Sequence, residues 1–171
     1  MRSRPTTISL AVKKKMASEE QKQLANAIKP MLKKAGFKKT AFNWHRKQGN
    51  VIQVINFQGS QWSKTVYVNL GVFFLEIEEQ EKPKEYDCHI RQRLPGISSN
   101  LKRCNELFDL ENSLSNEERY TEVIKLLETA AIPWLERCST KEGAKYYLEH
   151  EKKHGLPVPI TAKTYLGIQS S

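Results

Sequence analysis

The chain has 171 residues, of which 39% are hydrophobic and 27% charged. This length suffices for one globular domain with its own hydrophobic core and is too short for two ordinary domains. The composition excludes a largely disordered chain, a collagen and a coiled coil, and no apolar run approaches the roughly 20 residues that cross a bilayer, so we expect no membrane partner.

The net charge of +9 is unevenly distributed along the chain. Residues 1–75 hold 14 basic and 2 acidic side chains, whereas residues 76–171 hold 14 basic and 17 acidic ones. Such an excess in one half predicts a surface that attracts nucleic acid or an acidic protein. The alternative interpretation is a set of solvated lysines that keep a cytosolic protein in solution.

The three cysteines are an odd number without a CxxC pair. They argue against a disulfide framework and a cysteine-based zinc ribbon, so we expect a reducing, cytoplasmic location. Residues 1–15 carry five basic side chains and no acidic one, and we interpret them as a basic N-terminal arm. Residues 16–155 are expected to form a single α+β domain, and residues 156–171 a C-terminal tail.

In the first half of the domain, apolar residues recur first at helical spacing and then at every second position, as in strands. A capping box and apolar residues at helical spacing predict a helix over residues 18–36. Alternation over residues 42–46 predicts a first strand, which a Gln-Gly-Asn turn ends. Residues 51–58 and 65–75 predict two further strands, and the short loop GSQWSK between them indicates an antiparallel hairpin.

The strand at residues 65–75 is the strongest in the chain. Its even-numbered residues are apolar and should share one face, while Tyr67, Asn69 and Phe73 should share the other. Gly71 within so apolar a strand predicts a bulge or a close approach of another backbone segment.

The second half begins with a charged segment, residues 76–85, which holds a proline and is predicted to be an exposed loop. Residues 88–94 predict a fourth strand. Residues 101–114 fit either a short helix or an edge strand.

Two further capping boxes predict a long amphipathic helix from residue 115, bent at Pro133, and another helix from residue 139 to Gly155. The order of elements predicts an α+β fold. We expect an antiparallel sheet of about four strands, with an N-terminal helix and two or three C-terminal helices packed on one face.

Three segments, GFKKTAFNWHR, VIQVINFQGSQWSKTVYVNLGV and DCHIRQRL, resemble a bacterial family catalogued as domain-of-unknown-function family 4304. The resemblance covers roughly residues 18–150. It implies a compact bacterial intracellular protein with no established activity, so no catalytic residue can be carried over. The residues before Met16 and after Gly155 depart from the family pattern.

Residues 150–154, HEKKH, match the H-E-x-x-H pattern. On a helix this pattern places two imidazoles one turn apart for zinc, with the glutamate as a base for water. Here two lysines stand beside the second histidine and would repel a divalent cation, and no His, Asp, Glu or Cys follows to complete the ligand set. We expect no metal at the weak candidates His150 and His154, and interpret the segment as an exposed helix end.

A second constellation is predicted on the polar face of the sheet. Amide, guanidinium and aromatic groups there would suit a phosphate, a nucleotide base or an acidic peptide. The alternative is that the polar groups bond to one another across strands and loops cover the aromatic rings. The candidate residues are Asn56, Gln58, Tyr67, Asn69, His89, Arg91 and Arg93.

A third constellation is a run of basic residues with interleaved aromatics between residues 29 and 47. Phosphate contacts come mainly from Lys and Arg, but no RNA-binding signature, zinc finger or helix-turn-helix accompanies the run, so any nucleic-acid binding should be non-specific or structure-selective. The candidate residues are Lys33, Lys34, Lys38, Lys39, Trp44 and Arg46.

No nucleophile elbow, Walker loop or dinucleotide fingerprint is present, and we expect neither a cofactor nor catalytic residues. The sequence therefore predicts a non-enzymatic binding protein with a basic, aromatic-containing surface for nucleic acid or an acidic protein. By analogy with small orphan bacterial domains, such a protein could serve in immunity or defence. The enzymatic alternative is a hydrolase that uses zinc at the HEKKH segment or phosphate chemistry around His89 and Arg91.

Overall fold

The computed structural model describes residues 16–152 and 156–169. Its first element is helix α1, Glu19–Lys34. The predicted capping box is present, because Ser18 Oγ accepts a hydrogen bond from the Gln21 N–H and Gln21 Oε1 accepts one from the Ser18 N–H. Every fourth residue then forms the buried stripe of the helix: Leu24, Ile28 and Leu32.

One antiparallel five-stranded sheet follows, with the strands in chain order. The prediction of an α+β fold is confirmed, but the strand number is five instead of about four. The additional strand is the short edge strand β1, whose three polar residues carry no apolar alternation that could have indicated it. The strands are β1 Lys38–Thr40, β2 Asn43–Gln48, β3 Val51–Gly59, β4 Val66–Phe74 and β5 Ile90–Arg93.

The helices lie on one face of this sheet, here called the inner face, as predicted. The even-numbered residues of β4 are all buried there, in one core with the helices. The odd-numbered residues of β4, including Tyr67 and Asn69, lie on the opposite, outer face, because successive side chains of a strand alternate.

Five helices follow the sheet in the described part of the chain. Residues 101–114, whose sequence fits either a short helix or an edge strand, begin with a helix. The predicted long helix is present as α3 and α4, joined by a π-helical turn, Leu127–Ala131, just before Pro133, which has no N–H to continue the α-helical pattern. The helices are α2 Leu101–Phe108, α3 Asn116–Leu126, α4 Ile132–Cys138, α5 Lys141–Tyr146 and α6 Ile160–Leu166.

Helix α6 belongs to the segment interpreted as a tail, yet it contacts the core. Ala162 and Leu166 are buried, and the ring of Tyr165 lies 5.2 Å from that of Phe74. None of the helices in residues 16–152 and 156–169 has the length and apolarity that a membrane span requires.

Half of the outer face is covered by residues 76–89, here called the cover segment. The segment packs on Ile52, Val54 and Phe73 through Cys88, which forms a small second core with them. Gly71 of β4 makes this contact feasible, because a Cβ atom there would lie 2.5 Å from Cys88 Sγ. The sequence predicted a bulge or a close approach at Gly71, and the structure has the close approach.

Arg119 of α3 is buried and holds together the end of α2 and the loop after it. Its Nη1 donates to the carbonyl oxygens of Glu106, Leu107 and Asp109 at 3.1, 2.6 and 3.0 Å, and its Nη2 donates to Asn112 Oδ1. A helix end leaves backbone carbonyls without helical partners, and this one guanidinium satisfies several of them.

Replacing Arg119 with Met should therefore lower the free energy of unfolding by about 3 kcal/mol, because buried carbonyls would lose their donor. Urea unfolding followed by circular dichroism measures the change. The matched control is Arg137→Met, since Arg137 pairs with Glu151 on the surface and should cost no more than about 1 kcal/mol. Equal losses for the two variants would contradict the role assigned to Arg119.

Candidate functional site

The uncovered half of the outer face carries a row of asparagines. The strand register aligns Asn43, Asn56 and Asn69 on three adjacent strands. Asn56 Nδ2 donates to Asn43 Oδ1 at 2.8 Å, and Asn69 Nδ2 donates to Asn56 Oδ1 at 3.0 Å. The row is therefore a line of amides that bond to one another across the sheet, as the alternative interpretation of this face expected, and Asn69 within it is only 4% exposed.

Aromatic and cationic groups stand beside this row. Asn69 Nδ2 also donates to Gln58 Oε1 at 3.1 Å, and Gln58 is the register partner of Tyr67. Arg93 is the register partner of Asn69 on β5, and its guanidinium lies 5.1 Å from the centre of the Tyr67 ring. We call these six residues the open face: Asn43, Asn56, Gln58, Tyr67, Asn69 and Arg93.

Lysines collect at the β1 side of the open face. Two lie in the last turn of α1 and two in β1, which follows after three residues. On the outer face, Lys38 lies two residues before Thr40, the register partner of Asn43, so it is a diagonal neighbour of the open face. We call the five exposed lysines the basic edge: Lys33, Lys34, Lys38, Lys39 and Lys47.

The lysines of the basic edge form no ion pair in the described part of the chain, although Lys47 lines the same pocket as Glu76, Glu79 and Glu81. The ion pairs formed within the described ranges all use other cations. Lys39 instead has its ammonium nitrogen 5.8 Å from the centre of the Phe42 ring. Uncompensated positive charge of this kind attracts polyanions over about a Debye length.

Two of the predicted basic-surface residues lie elsewhere. Trp44 is only 1% exposed and belongs to the inner core. Arg46 is also buried on the inner face, where it donates to Gln53 Oε1 at 2.7 Å and pairs with Glu136 at 3.2 Å. Both are even-numbered β2 residues, so strand alternation turns their side chains to the inner face, where the ammonium nitrogen of Lys39 lies 5.9 Å from the centre of the Trp44 ring.

His89 and Arg91 lie on the covered half of the outer face, apart from the open face. His89 is buried, and its Nδ1 accepts a hydrogen bond from the Phe74 N–H at 2.9 Å. Arg91 donates two hydrogen bonds, of 2.8 and 3.0 Å, to the carboxylate of the buried Glu85 in the cover segment. Both side chains are thus occupied within the fold.

The HEKKH segment is described as far as residue 152, so His154 lies outside the described residues. His150 is exposed, and its ring lies 4.6 Å from that of Tyr146. The Glu151 carboxylate accepts two hydrogen bonds from Arg137, at 2.9 and 2.6 Å. Among residues 16–152 and 156–169, no group of three or more His, Cys, Asp or Glu side chains is arranged to hold a metal ion.

One exposed aromatic residue near the open face was missed by the sequence analysis. Trp62, in the loop between β3 and β4, is 92% exposed. The available signal was a lone tryptophan in the otherwise polar loop GSQWSK, but periodicity assigns no face to a loop residue.

Comparison with known proteins gives one match. The model of a family described as "Domain of unknown function (DUF4304)" matches residues 28–137. Neither a curated protein nor a solved structure matches the chain.

His89 should make stability depend on pH in a defined direction. Burial lowers the pKa of His89 below its ordinary value of 6.5. Below pH 6.5 the imidazole of His89 is protonated in the unfolded chain but stays neutral in the folded protein until a lower pH. The contribution of His89 to the free energy of unfolding is therefore fully present above pH 6.5 and is lost as the pH decreases. We expect thermal unfolding measured from about pH 8 to about pH 5 to show this loss.

The variant His89→Asn separates titration from packing, because its amide oxygen can accept the Phe74 N–H but does not titrate in this range. It should be less stable overall and should show a shallower fall between these pH values. A fall as steep as that of the unmodified protein would contradict the assignment.

Proposed function

The chain belongs to the DUF4304 family, whose description names no activity. From the geometry of the site, we propose that the protein binds nucleic acid without catalysis, through the basic edge and the open face. One observation carries this proposal. Four exposed lysines of the basic edge, two at the end of α1 and two in β1, form no ion pair in the described part of the chain and lie at the edge of the sheet next to the amide row, and none of the six open-face residues is acidic.

The basic edge would supply the affinity. Lysine ammonium groups neutralise phosphates and release condensed counterions, which gives binding with strong salt dependence and little sequence preference. Lys38 lies on the outer face as a diagonal neighbour of Asn43, and Arg93 lies beside Asn69 at the other end of the amide row, so a positive charge stands near each end of the row. An extended polyanion crossing the sheet would contact both groups.

The composition of the open face favours nucleic acid over the acidic protein that the sequence also predicted. The core of a protein interface is usually more apolar than its rim and depleted in charged residues. The middle of the open face is instead the amide row, in which Asn69 is only 4% exposed, so contacts to phosphates, sugars or base edges would come from the exposed groups beside it, Gln58, Tyr67 and Arg93.

A hydrolase receives less support from these contacts. Phosphate chemistry at His89 and Arg91 would require Arg91 to leave Glu85 and would require substrate to reach a buried imidazole. Zinc analysis of the purified protein tests the HEKKH alternative directly.

The test of the proposed function is a titration of labelled single-stranded and duplex DNA, followed by fluorescence anisotropy at several salt concentrations. The variant Lys34→Gln/Lys38→Gln should weaken binding to both DNA forms. The slope of log affinity against log salt should become shallower by about 1 for each lost phosphate contact.

The matched control is Lys125→Gln/Lys145→Gln, which removes the same charge from the C-terminal helices and should change binding much less. The proposal fails if the unmodified protein binds no nucleic acid at low salt. It fails equally if the two double variants weaken binding to the same extent, because net charge alone would then explain the affinity.

A further inference from the structure

Two exposed aromatic side chains lie at the same end of the sheet. Tyr67, on the open face, is 38% exposed, and Trp62, at the tip of the β3–β4 hairpin, is 92% exposed. Measured along the strand, the tip lies roughly 10–15 Å beyond Tyr67. Two exposed aromatic rings therefore lie at the hairpin end of the sheet.

The hairpin tip is an ordered turn. Ser60 Oγ accepts hydrogen bonds from the backbone N–H groups of Trp62 and Ser63, at 3.2 and 3.3 Å. Lys64, on the same loop, pairs with Glu20 of α1 at 2.9 Å. The tip is thus tied to its own backbone and to the N-terminal turn of α1.

Trp62 is far more exposed than the other two tryptophans of the chain. Burying a tryptophan removes on the order of 150–250 Å² from water, and the other two tryptophans, Trp44 and Trp134, are 1% and 3% exposed. Tyr67 lies beside Arg93 and Gln58, and Trp62 lies farther along at the hairpin tip, so a ligand with both flat rings and negative charge would suit this end of the sheet.

We propose that Trp62 and Tyr67 stack on unpaired bases, so that the protein prefers single-stranded to duplex nucleic acid. This inference rests on the proposed function and names its substrate class. A duplex presents phosphates but keeps its base faces stacked inside, whereas a single strand can lay them on aromatic rings. The basic edge would contact both forms, and the two rings only the single strand.

Arg93 should strengthen the stacking of a base on Tyr67. Its guanidinium lies against the Tyr67 ring, and this contact holds both groups in place while leaving a cation next to the stacked base. Because every base has a π-face, stacking is tolerant of sequence, in agreement with the absence of a sequence-reading motif.

The test uses the full chain, a labelled oligothymidylate and the same strand annealed to oligodeoxyadenylate. Trp62→Ala and Tyr67→Ala should each weaken single-strand binding by roughly five- to one-hundred-fold, which is the range expected for the loss of one stacked base. Duplex affinity and the salt slope should stay unchanged, since no cation is removed. Trp62→Phe and Tyr67→Phe should restore most of the affinity.

Tryptophan fluorescence gives a second, direct readout. Because Trp44 and Trp134 are buried, oligothymidylate should quench mainly Trp62, and the quenching should disappear in Trp62→Phe although that variant still binds. This variant leaves the core untouched, so a folding defect would not mimic the result.

The outcomes separate the two proposals. Salt-dependent binding with no preference for the single strand, or equal losses on both DNA forms in the alanine variants, overturns the stacking inference and leaves the proposed function intact. The absence of any binding by the unmodified protein overturns both.

Discussion

The close approach of Cys88 to Gly71 divides the outer face of the sheet. A Cβ atom at Gly71 would lie 2.5 Å from Cys88 Sγ, so only glycine lets the cover segment rest directly on β4. This contact buries Ile52, Val54 and Phe73 on the side opposite the helices. The cover segment stops short of Gln58, Tyr67 and Arg93, which remain exposed on the same face, whereas Asn69 is only 4% exposed.

The cationic side chains of this fold are of two kinds, buried arginines and exposed lysines. Arg46 and Arg119 are buried and serve the structure, the first through Gln53 and Glu136, the second through backbone carbonyls of the α2 end. The lysines of the basic edge stay in solvent without carboxylate partners. A buried arginine costs desolvation and must be saturated with acceptors, whereas an exposed lysine keeps its hydration until a polyanion displaces it.

The sequence predicted the candidate site in part. Asn56, Gln58, Tyr67, Asn69 and Arg93 do share one surface, because strand alternation is a strict period of two and the hairpin fixes the register. The same periodicity could have excluded Trp44 and Arg46 from the basic surface if the sequence had shown which face of β2 the even-numbered residues occupy. An error of one residue in that assignment moves every side chain of the strand to the opposite face. His89 was assigned to the correct side of the sheet, but it is the last residue of the cover segment, just before β5, and its burial against Phe73 and Phe74 could not be read from the strand pattern.

Local patterns alone were enough to determine the capping box of α1, the β3–β4 hairpin, the two faces of β4 and the excess of charge in the first half of the chain. These features depend on residues that are neighbours in sequence or repeat at a fixed period. Only the tertiary structure decided which cations are neutralised, which half of the outer face is covered and that Trp62 stands in solvent. Those outcomes depend on contacts such as Arg46 with Glu136 and Cys88 with Gly71, whose partners lie far apart in sequence and meet only once the chain has folded.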